Sequence, residues 1–286
     1  MRRPFSLLVA GLLIVSLVVA SPARLEAAIS EKAFALTIFS LGTTGFTALA
    51  HYLWKNSPAE RVRGHPENLT LGEYYLAIYG GASMPPDQDW TFSHGKFQPP
   101  LKGLTARGVI LQPSVVGGLK FGRYFQSLPW FGIEMETNYS RNAIRTQRVT
   151  LSRPLPTGVQ SLVVPQDRFY TWCMQTNFLA RYGFFPDKEM PFGRLQPYIG
   201  IGPAFEVMYG LSDSSKNFAF AAQAGLRYMA SPNLGFFLEY KFSYQHAVEY
   251  EDKEIMLNQR GTVTFNVPNN RIVLGVSFHF KNLFGN

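Results

Sequence analysis

Hydrophobic and polar residues alternate along several stretches of this chain, most clearly near its end at residues 271–280, RIVLGVSFHF. Every second residue there is apolar, and the residues between them are small, polar or charged apart from Val273. The apolar set is Ile272, Leu274, Val276, Phe278 and Phe280. A period of two predicts a β-strand with one apolar face and one polar face.

Eight runs of this kind follow one another from residue 73 onward, each long enough to cross the hydrocarbon core of a membrane as a tilted strand. They are residues 73–84, 109–125, 130–140, 169–184, 196–209, 218–230, 233–246 and 270–280. Runs two and three, four and five, and six and seven are joined by short pieces. Three other connections are long, at residues 85–108, 141–168 and 247–269, and the link between runs five and six is short. Short turns on one side and long loops on the other predict an up-and-down transmembrane barrel with both termini periplasmic and the long loops extracellular.

The two faces of the runs predict which side chains meet lipid and which line the lumen. Predicted outward are Ile133, Met135, Trp172, Phe205 and Leu274, and predicted inward are Glu134, Glu136, Arg181, Lys241 and Ser277. A soluble barrel of the lipocalin kind needs the opposite pattern, because its interior is apolar and its outer surface is polar and faces water. An aromatic outer surface of this extent would aggregate in water.

The polar faces carry five acids, five bases and a histidine, and that balance suits a lumen closed to bulk water, where an unpaired charge is costly. Counting residues from the short-turn end brings four charged side chains of runs two, three and four near one level: Lys120, Glu134, Glu136 and Arg181. Glu239 and Lys241 of run seven are expected to reach them across a lumen that is only side-chain wide. We therefore predict a lumenal charge network that plugs the barrel. An eight-stranded interior is about filled by side chains, so an open pore is the less favoured alternative.

The first seventy residues differ from the rest. Arg2 and Arg3, an apolar run and then small residues have the order of a secretory signal peptide over residues 1–28, with cleavage between 20 and 28. An uncleaved inner-membrane anchor is the alternative. Residues 29–70 are predicted to be an amphipathic helical extension and a linker, although an inner-membrane helix also fits the stretch 33–50. Residues 71–286 are assigned to the barrel.

The amino-acid composition agrees with a membrane barrel and argues against nucleic-acid binding. The chain has 286 residues, of which 46% are hydrophobic, 15% aromatic and only 16% charged. Soluble domains carry about 25% charged residues. The net charge of +8 comes from scattered Lys and Arg without a basic run, so nucleic acid is not an expected partner. Cys173 is the single cysteine, which excludes an intramolecular disulfide.

Candidate chemistry is sparse. The best hydrolytic cluster is Glu239, Ser243, His246 and Glu249, but Ser243 and His246 point to opposite faces of a regular strand. No catalytic residue, metal site or cofactor is therefore predicted. A lipid A-modifying enzyme, deacylase-like, remains the alternative function.

The predicted loop 141–168 is basic, and its arginines Arg141, Arg145, Arg148 and Arg153 form a candidate anion-binding loop. Guanidinium groups suit the phosphates of lipopolysaccharide. We therefore expect outer-membrane lipid and lipopolysaccharide as contacts of the cell-surface side. Ordinary solvated loops are the alternative.

The runs also carry a family resemblance. GGLKFGRYF with WFGIEMETNYS, LQPYIGIGPAF and GFFLEYKFSY resemble strands of the bacterial outer-membrane protein β-barrel family, the small eight-stranded barrels of the OmpA type. The closing strand resembles the C-terminal signal that the barrel-assembly machinery reads, with Phe278 and Phe280 as the signal residues. Because KNLFGN follows Phe280, Phe284 is the alternative terminal aromatic. The resemblance implies an all-β fold in the outer membrane and a structural or interaction role, without naming a ligand.

Overall fold

The computed structural model describes residues 73–95, 101–210, 214–252 and 261–280, all within the compact unit Pro58–Asn286. The predicted signal peptide and helical extension lie outside the described residues. No helix in the described part is long and apolar enough to span a membrane. The described strands are β1 Glu73–Met84, β2 Gln88–Gly95, β3 Thr105–Val109, β4 Leu111–Gln112, β5 Ser114–Tyr124, β6 Phe131–Ile144, β7 Gln147–Leu151, β8 Ser161–Val164, β9 Asp167–Arg181, β10 Leu195–Tyr209, β11 Ser214–Ser231, β12 Leu234–Asp252 and β13 Gly261–Phe280.

Eight of these strands form a closed antiparallel ring in the order β1-β5-β6-β9-β10-β11-β12-β13, and β13 pairs back onto β1. Each of the eight predicted runs overlaps one ring strand, so the prediction of an eight-stranded antiparallel barrel is confirmed. Short turns connect β5 to β6, β9 to β10 and β11 to β12 at one end of the ring.

The stagger of the ring sets its width. Paired residues lead from Glu73 around the ring and back to β1 at Ser83, ten residues further along. The path is Glu73, Tyr124, Gly132, Leu179, Gly200, Gln223, Lys241, Arg271 and Ser83. With about 3.3 Å per residue and about 4.8 Å between strands, this stagger tilts the strands by roughly 40° and gives a backbone radius of roughly 8 Å. Side chains fill an interior of that size.

The outer face of the ring is apolar and the inner face is polar. Met135 is 55% exposed and Leu274 65% exposed, whereas Glu134 and Lys241 are 0% and 1% exposed. Ile133, Trp172 and Phe205 also face outward, and Glu136, Arg181 and Ser277 are buried in the lumen. The facing predicted for all ten residues is confirmed.

Aromatic girdles flank the apolar band at both ends. At the short-turn end Tyr74 stacks on Phe121 and Phe280, with ring centroids 6.2 and 6.1 Å apart. At the opposite end Tyr170 stacks on Tyr139 and Tyr209, at 6.0 and 5.7 Å. Such girdles are typical of the two membrane interfaces of a transmembrane barrel.

The three long connections are not simple loops, and that part of the prediction is wrong. Residues 85–108 contain β2 and β3, residues 141–168 contain the end of β6 with β7 and β8, and residues 247–269 extend β12 and β13. β13 pairs with β2, β2 with β3, β3 with β7 and β7 with β8, so the sheet continues beyond the tyrosine girdle. We call β2, β3, β4, β7 and β8, with the outer ends of β12 and β13, the cap.

The cap has its own apolar core, which faces inward. Trp90 stacks on Phe265 at 5.0 Å and meets Phe169 edge-on at 6.3 Å. Other core members are Phe92, Leu101, Leu104, Val149, Leu151, Val164, Val248, Tyr250 and Val263. The inner face of β13 therefore differs between the two regions. It is polar where the strand passes through the membrane-facing band, and it is apolar in the cap. The reason is the outside medium, because a wall that faces water has to be polar outside and to bury its apolar side chains.

Candidate functional site

The centre of the lumen holds a buried ion cluster around Lys120 of β5. Its Nζ donates to both carboxylate oxygens of Glu239, at 2.7 and 2.8 Å, and to Glu134 Oε1 at 3.2 Å. Glu136 Oε2 lies 3.4 Å from the same ammonium. All four side chains are almost completely buried. One lysine therefore ties together carboxylates from β6 and β12, on different sides of the lumen.

A second lysine, Lys241 of β12, completes the cluster. Its Nζ lies 2.5 Å from Glu136 Oε2 and 3.2 Å from Glu239 Oε1, and it donates to Gln223 Oε1 at 2.9 Å. Three glutamates thus share two lysines. Neutral donors complete the carboxylate shells, since a buried carboxylate oxygen without a donor is costly.

The network predicted from the sequence contains only charged residues; the sequence interpretation places Gln175 and Gln223 on the polar face but does not include the tyrosines. Tyr75 Oη donates to Glu134 at 2.6 Å, Tyr198 Oη to Glu239 at 2.7 Å, and Tyr79 to Glu136. Gln175 and Gln223 donate to Glu136 and Glu134 at 2.9 and 2.8 Å. The alternation along β1 could have identified the tyrosines of that strand. Tyr75 and Tyr79 are two and six residues after Glu73, and residues an even number of positions apart in a strand lie on the same face, here the lumenal one.

Two glycines make room for these tyrosines. Gly118 and Gly122 of β5 are paired with Tyr79 and Tyr75 of β1. A Cβ on Gly118 would collide with the Tyr79 hydroxyl, and a Cβ on Gly122 would collide with the Tyr75 ring. The glycines in GGLKFGRYF therefore allow the tyrosine rings to lie flat across β5 and reach the glutamates.

Arg181 was predicted to belong to this network, and that placement is wrong. Its guanidinium pairs with Glu73 and donates to Gln196 Oε1 at 3.0 Å and to the Pro129 carbonyl at 2.9 Å. It also lies over the Tyr124 ring, 3.6 Å from the centroid. The fourth run was expected to continue to residue 184, but β9 ends at Arg181, at the short-turn end. At the level of the network, β9 contributes Asn177, which donates to Glu134 at 3.2 Å.

The remaining lumenal charges occupy layers on either side. Towards the short turns, Arg227 lies over the rings of Tyr75 and Tyr198 at 4.5 and 5.2 Å. In the same layer His279 Nδ1 lies 3.3 Å from Glu73. Towards the cap, Arg271 pairs with Glu206 at 3.4 Å. Each of the five lumenal acids predicted from the sequence therefore has a cationic partner.

The arginines of the predicted anion-binding loop do not share one loop. Arg141 lies in β6 and Arg148 in β7, while Arg145 and Arg153 lie beside those strands. All four side chains are exposed. The correction follows from the cap, since the segment predicted as a loop supplies three of the strands around the cap core.

The residues predicted as the assembly signal lie on the outer surface of β13. Phe278 is 53% exposed, and Phe280 stacks on Tyr74. The hydrolytic cluster is not assembled, because Ser243 is fully buried in the lumen whereas His246 is exposed. Among the described residues, no group of three His, Cys, Asp or Glu side chains is placed to hold a metal ion.

Comparison with known proteins found similarity in structure only. No family model matches the chain, and no curated protein matches it. Similar solved structures include Neisserial surface protein A, with 14% identity, a TM-score of 0.40 and coverage of 73% of this chain and 97% of that one. OprG from Pseudomonas aeruginosa has 14% identity and a TM-score of 0.47, with coverage of 73% and 96%. The attachment invasion locus protein Ail of Yersinia pestis, solved with the heparin analogue sucrose octasulfate, has 13% identity and a TM-score of 0.37, with coverage of 73% and 99%.

The fold itself is defined by the geometry of this chain. The ring of eight antiparallel strands is closed, the band between the aromatic girdles is apolar, and the lumen is polar with paired charges. Closure leaves no strand edge to meet hydrocarbon, and internal pairing satisfies the buried charges. The chain has the fold of the small eight-stranded transmembrane barrels of the outer membrane.

Proposed function

We propose that the protein is a non-conducting scaffold barrel of the bacterial outer membrane. The observation that carries the proposal is the contact of Lys120 with Glu239 at 2.7 Å, which bridges the lumen between strands that are not neighbours. With Lys241, Glu134 and Glu136, this bridge fills the cross-section at mid-height. An ion entering the lumen would have to displace several buried, charge-assisted hydrogen bonds at once.

Planar-bilayer recording tests the plug. We expect no steady large conductance from the unmodified protein. The matched variant Lys120→Ala/Glu239→Ala removes both partners of the bridge, so that neither charge is left behind without the other. We expect frequent channel openings from this variant. Heat-modifiable migration on gels verifies that each sample contains a folded barrel. Steady large conductance from the folded, unmodified protein would contradict the proposal and favour a pore.

We also propose that the cap is extracellular and that both termini are periplasmic. Short turns at one end and a large folded structure at the other support this orientation. A cysteine at exposed Thr157, in the β7–β8 connection, should react with an impermeant maleimide on intact cells. A cysteine at exposed Lys188, in the short turn after β9, should react only after lysis, and Cys173 provides little background because it is buried. The reverse labelling pattern would invert the orientation.

Two partners belong to the same proposal. Phe278 and Phe280 are proposed to be read by the barrel-assembly machinery, and Phe280→Ala should slow assembly in vivo more than it lowers the stability of the refolded barrel.

The exposed arginines Arg141, Arg145, Arg148 and Arg153 are proposed to contact lipopolysaccharide. Guanidinium groups form paired hydrogen bonds with phosphate oxygens, which supports a phosphate-bearing ligand.

A further inference from the structure

Three cations lie on one sector of the outer wall, strands β6, β9, β10 and β11, at the level of the tyrosine girdle or just beyond it. Arg141 of β6 is paired with Tyr170 of β9, and Ala143, two residues further along β6, is paired with Arg168. Lys216 of β11 is paired with Val207 of β10, two residues to the membrane side of Tyr209. Alternation places Arg141, Arg168 and Lys216 on the outward face, and all three are exposed.

The girdle in this sector is a single tyrosine cluster. Tyr139, Tyr170 and Tyr209 have ring centroids 5.7 to 6.4 Å apart. Tyrosines of this kind lie at the headgroup level of a bilayer, with apolar bodies towards the chains and hydroxyls towards water. The cluster therefore marks the membrane boundary beside these cations.

The height of Arg141 agrees with a headgroup position. Phe131, in the short-turn girdle, and Tyr139 are eight residues apart on β6. At about 2.5 Å of axial rise per tilted residue, they are separated by roughly 20 Å, close to the apolar height of about 25 Å in such barrels. Arg141 lies two residues further out, which is roughly 5 Å beyond the girdle.

In the part of the chain that the structure describes, no carboxylate lies on the outer face of these four strands. Among the described residues of β6, β9, β10 and β11, the acidic side chains are Glu134, Glu136, Asp167 and Glu206, and all four are buried on the inner face. The outer face of this sector is therefore cationic and has no acid in the described residues. Two of the three cations are arginines, which match phosphate oxygens in paired hydrogen bonds.

We propose that Arg141, Arg168 and Lys216, around Tyr139, Tyr170 and Tyr209, form a binding site for the phosphate groups of a lipid headgroup in the outer leaflet. The proposal rests on the proposed orientation with the cap outside. It narrows the expected lipopolysaccharide contact to one sector of the wall and leaves Arg145, Arg148 and Arg153 outside the site. A lipid is favoured over free phosphate because the tyrosine rings provide a surface for the upper acyl chain next to the cations.

The test uses native mass spectrometry of the full barrel titrated with bis-phosphorylated lipid A and, separately, with the dephosphorylated lipid. We expect the phosphorylated lipid to bind more tightly, and each of Arg141→Gln, Arg168→Gln and Lys216→Gln to weaken it by about fivefold. The matched control is Arg123→Gln. Arg123 lies over Tyr74 at 4.8 Å in the opposite girdle, so the control removes the same chemistry from the other interface.

Three outcomes would overturn the site: equal binding of the two lipids, unchanged binding by the triple variant, or full competition by inorganic phosphate against a chloride control of equal ionic strength. The last result would identify a free-anion site. The maleimide labelling described above separates this failure from failure of the proposed orientation. If labelling shows the cap outside while the triple variant binds normally, the lipid site is wrong and the scaffold proposal stands.

Discussion

Lys120 Nζ lies 2.7 Å from Glu239 Oε1 although the two residues are 119 positions apart in the chain and belong to strands that do not pair. Backbone hydrogen bonds hold each strand only to its two neighbours. The contact is thus a tie across the ring, and it depends on the short lumenal radius set by the ten-residue stagger.

Removing this tie should be costly. Lys120→Met leaves Glu239 and Glu134 with fewer cationic partners in a buried site, and we expect it to lower the free energy of unfolding by about 3–5 kcal/mol. Urea unfolding in lipid vesicles measures the change. Adding Glu239→Gln should recover part of the loss, and Arg123→Met, an exposed cation on the same strand, should change stability by less than about 1 kcal/mol. Equal effects of the two single variants would contradict the tie.

The membrane-facing surface gives a second prediction. Met135 is 55% exposed in the middle of the apolar band, and Met135→Arg should cost about 2–4 kcal/mol in vesicles. Val159, 48% exposed between β7 and β8, provides the control, since Val159→Arg should have almost no effect. An unchanged unfolding midpoint for Met135→Arg would place that residue outside the bilayer.

The cap core predicts a local effect. Phe92 is fully buried, and Phe92→Ala should destabilise the cap by about 3–5 kcal/mol because it leaves a cavity. Hydrogen exchange should then accelerate at the amides of β2 and β3 but not at those of β1 and β5 between the girdles. The exposed Val163→Ala on β8 should leave exchange unchanged. Acceleration throughout the ring would show that cap and barrel unfold together.

The turn at residues 182–194 predicts a pH response. Asp187 Oδ1 accepts from the Met190 and Glu189 amides at 2.7 and 2.9 Å, and Arg194 pairs with the same carboxylate. The Met190 amide and Arg194 hold the pKa of Asp187 below its ordinary value. A lowered folded-state pKa means that the turn is stabilised above the ordinary aspartate pKa and loses that stabilisation as pH falls through the lowered one.

The Met190 amide shift, followed by NMR, should therefore titrate below the ordinary aspartate pKa. Asp187→Asn should abolish this titration. A midpoint at or above the ordinary value would show that the amide contacts are not formed in solution.

The barrel was readable from the sequence because one physical rule covers all eight strands. Lipid outside and a narrow lumen inside force apolar and polar residues to alternate, and Ile133 to Glu136 show that pattern without interruption. Charge balance on the inner face also led to Lys120, Glu134, Glu136, Glu239 and Lys241, which the structure brings together. Arg181 was misplaced because the level of a side chain depends on where its strand ends, and the apolar run beyond Arg181 gave no sign of that end.

The cap was missed for a different reason. Val263, Phe265 and Val267 alternate with Thr262, Thr264 and Asn266 in the same parity as Arg271 and Val273 further along β13. The period is unbroken, but the side that is apolar switches where the surroundings change from lipid to water. A prediction that recognises strands by their apolar outward faces does not extend past that point. The folded β-structure of the cap was therefore interpreted as loops.

The cap core also bears on how the barrel is retained once it has been assembled. Its side chains come from the segments between β1 and β5 and between β6 and β9, and from the outer ends of β6, β9, β10, β12 and β13. Those segments have to be on the same side of the bilayer before the core can pack. Withdrawing any of them would first require unpacking a buried aromatic cluster into water. The packed cap core therefore opposes withdrawal of the assembled barrel through the membrane.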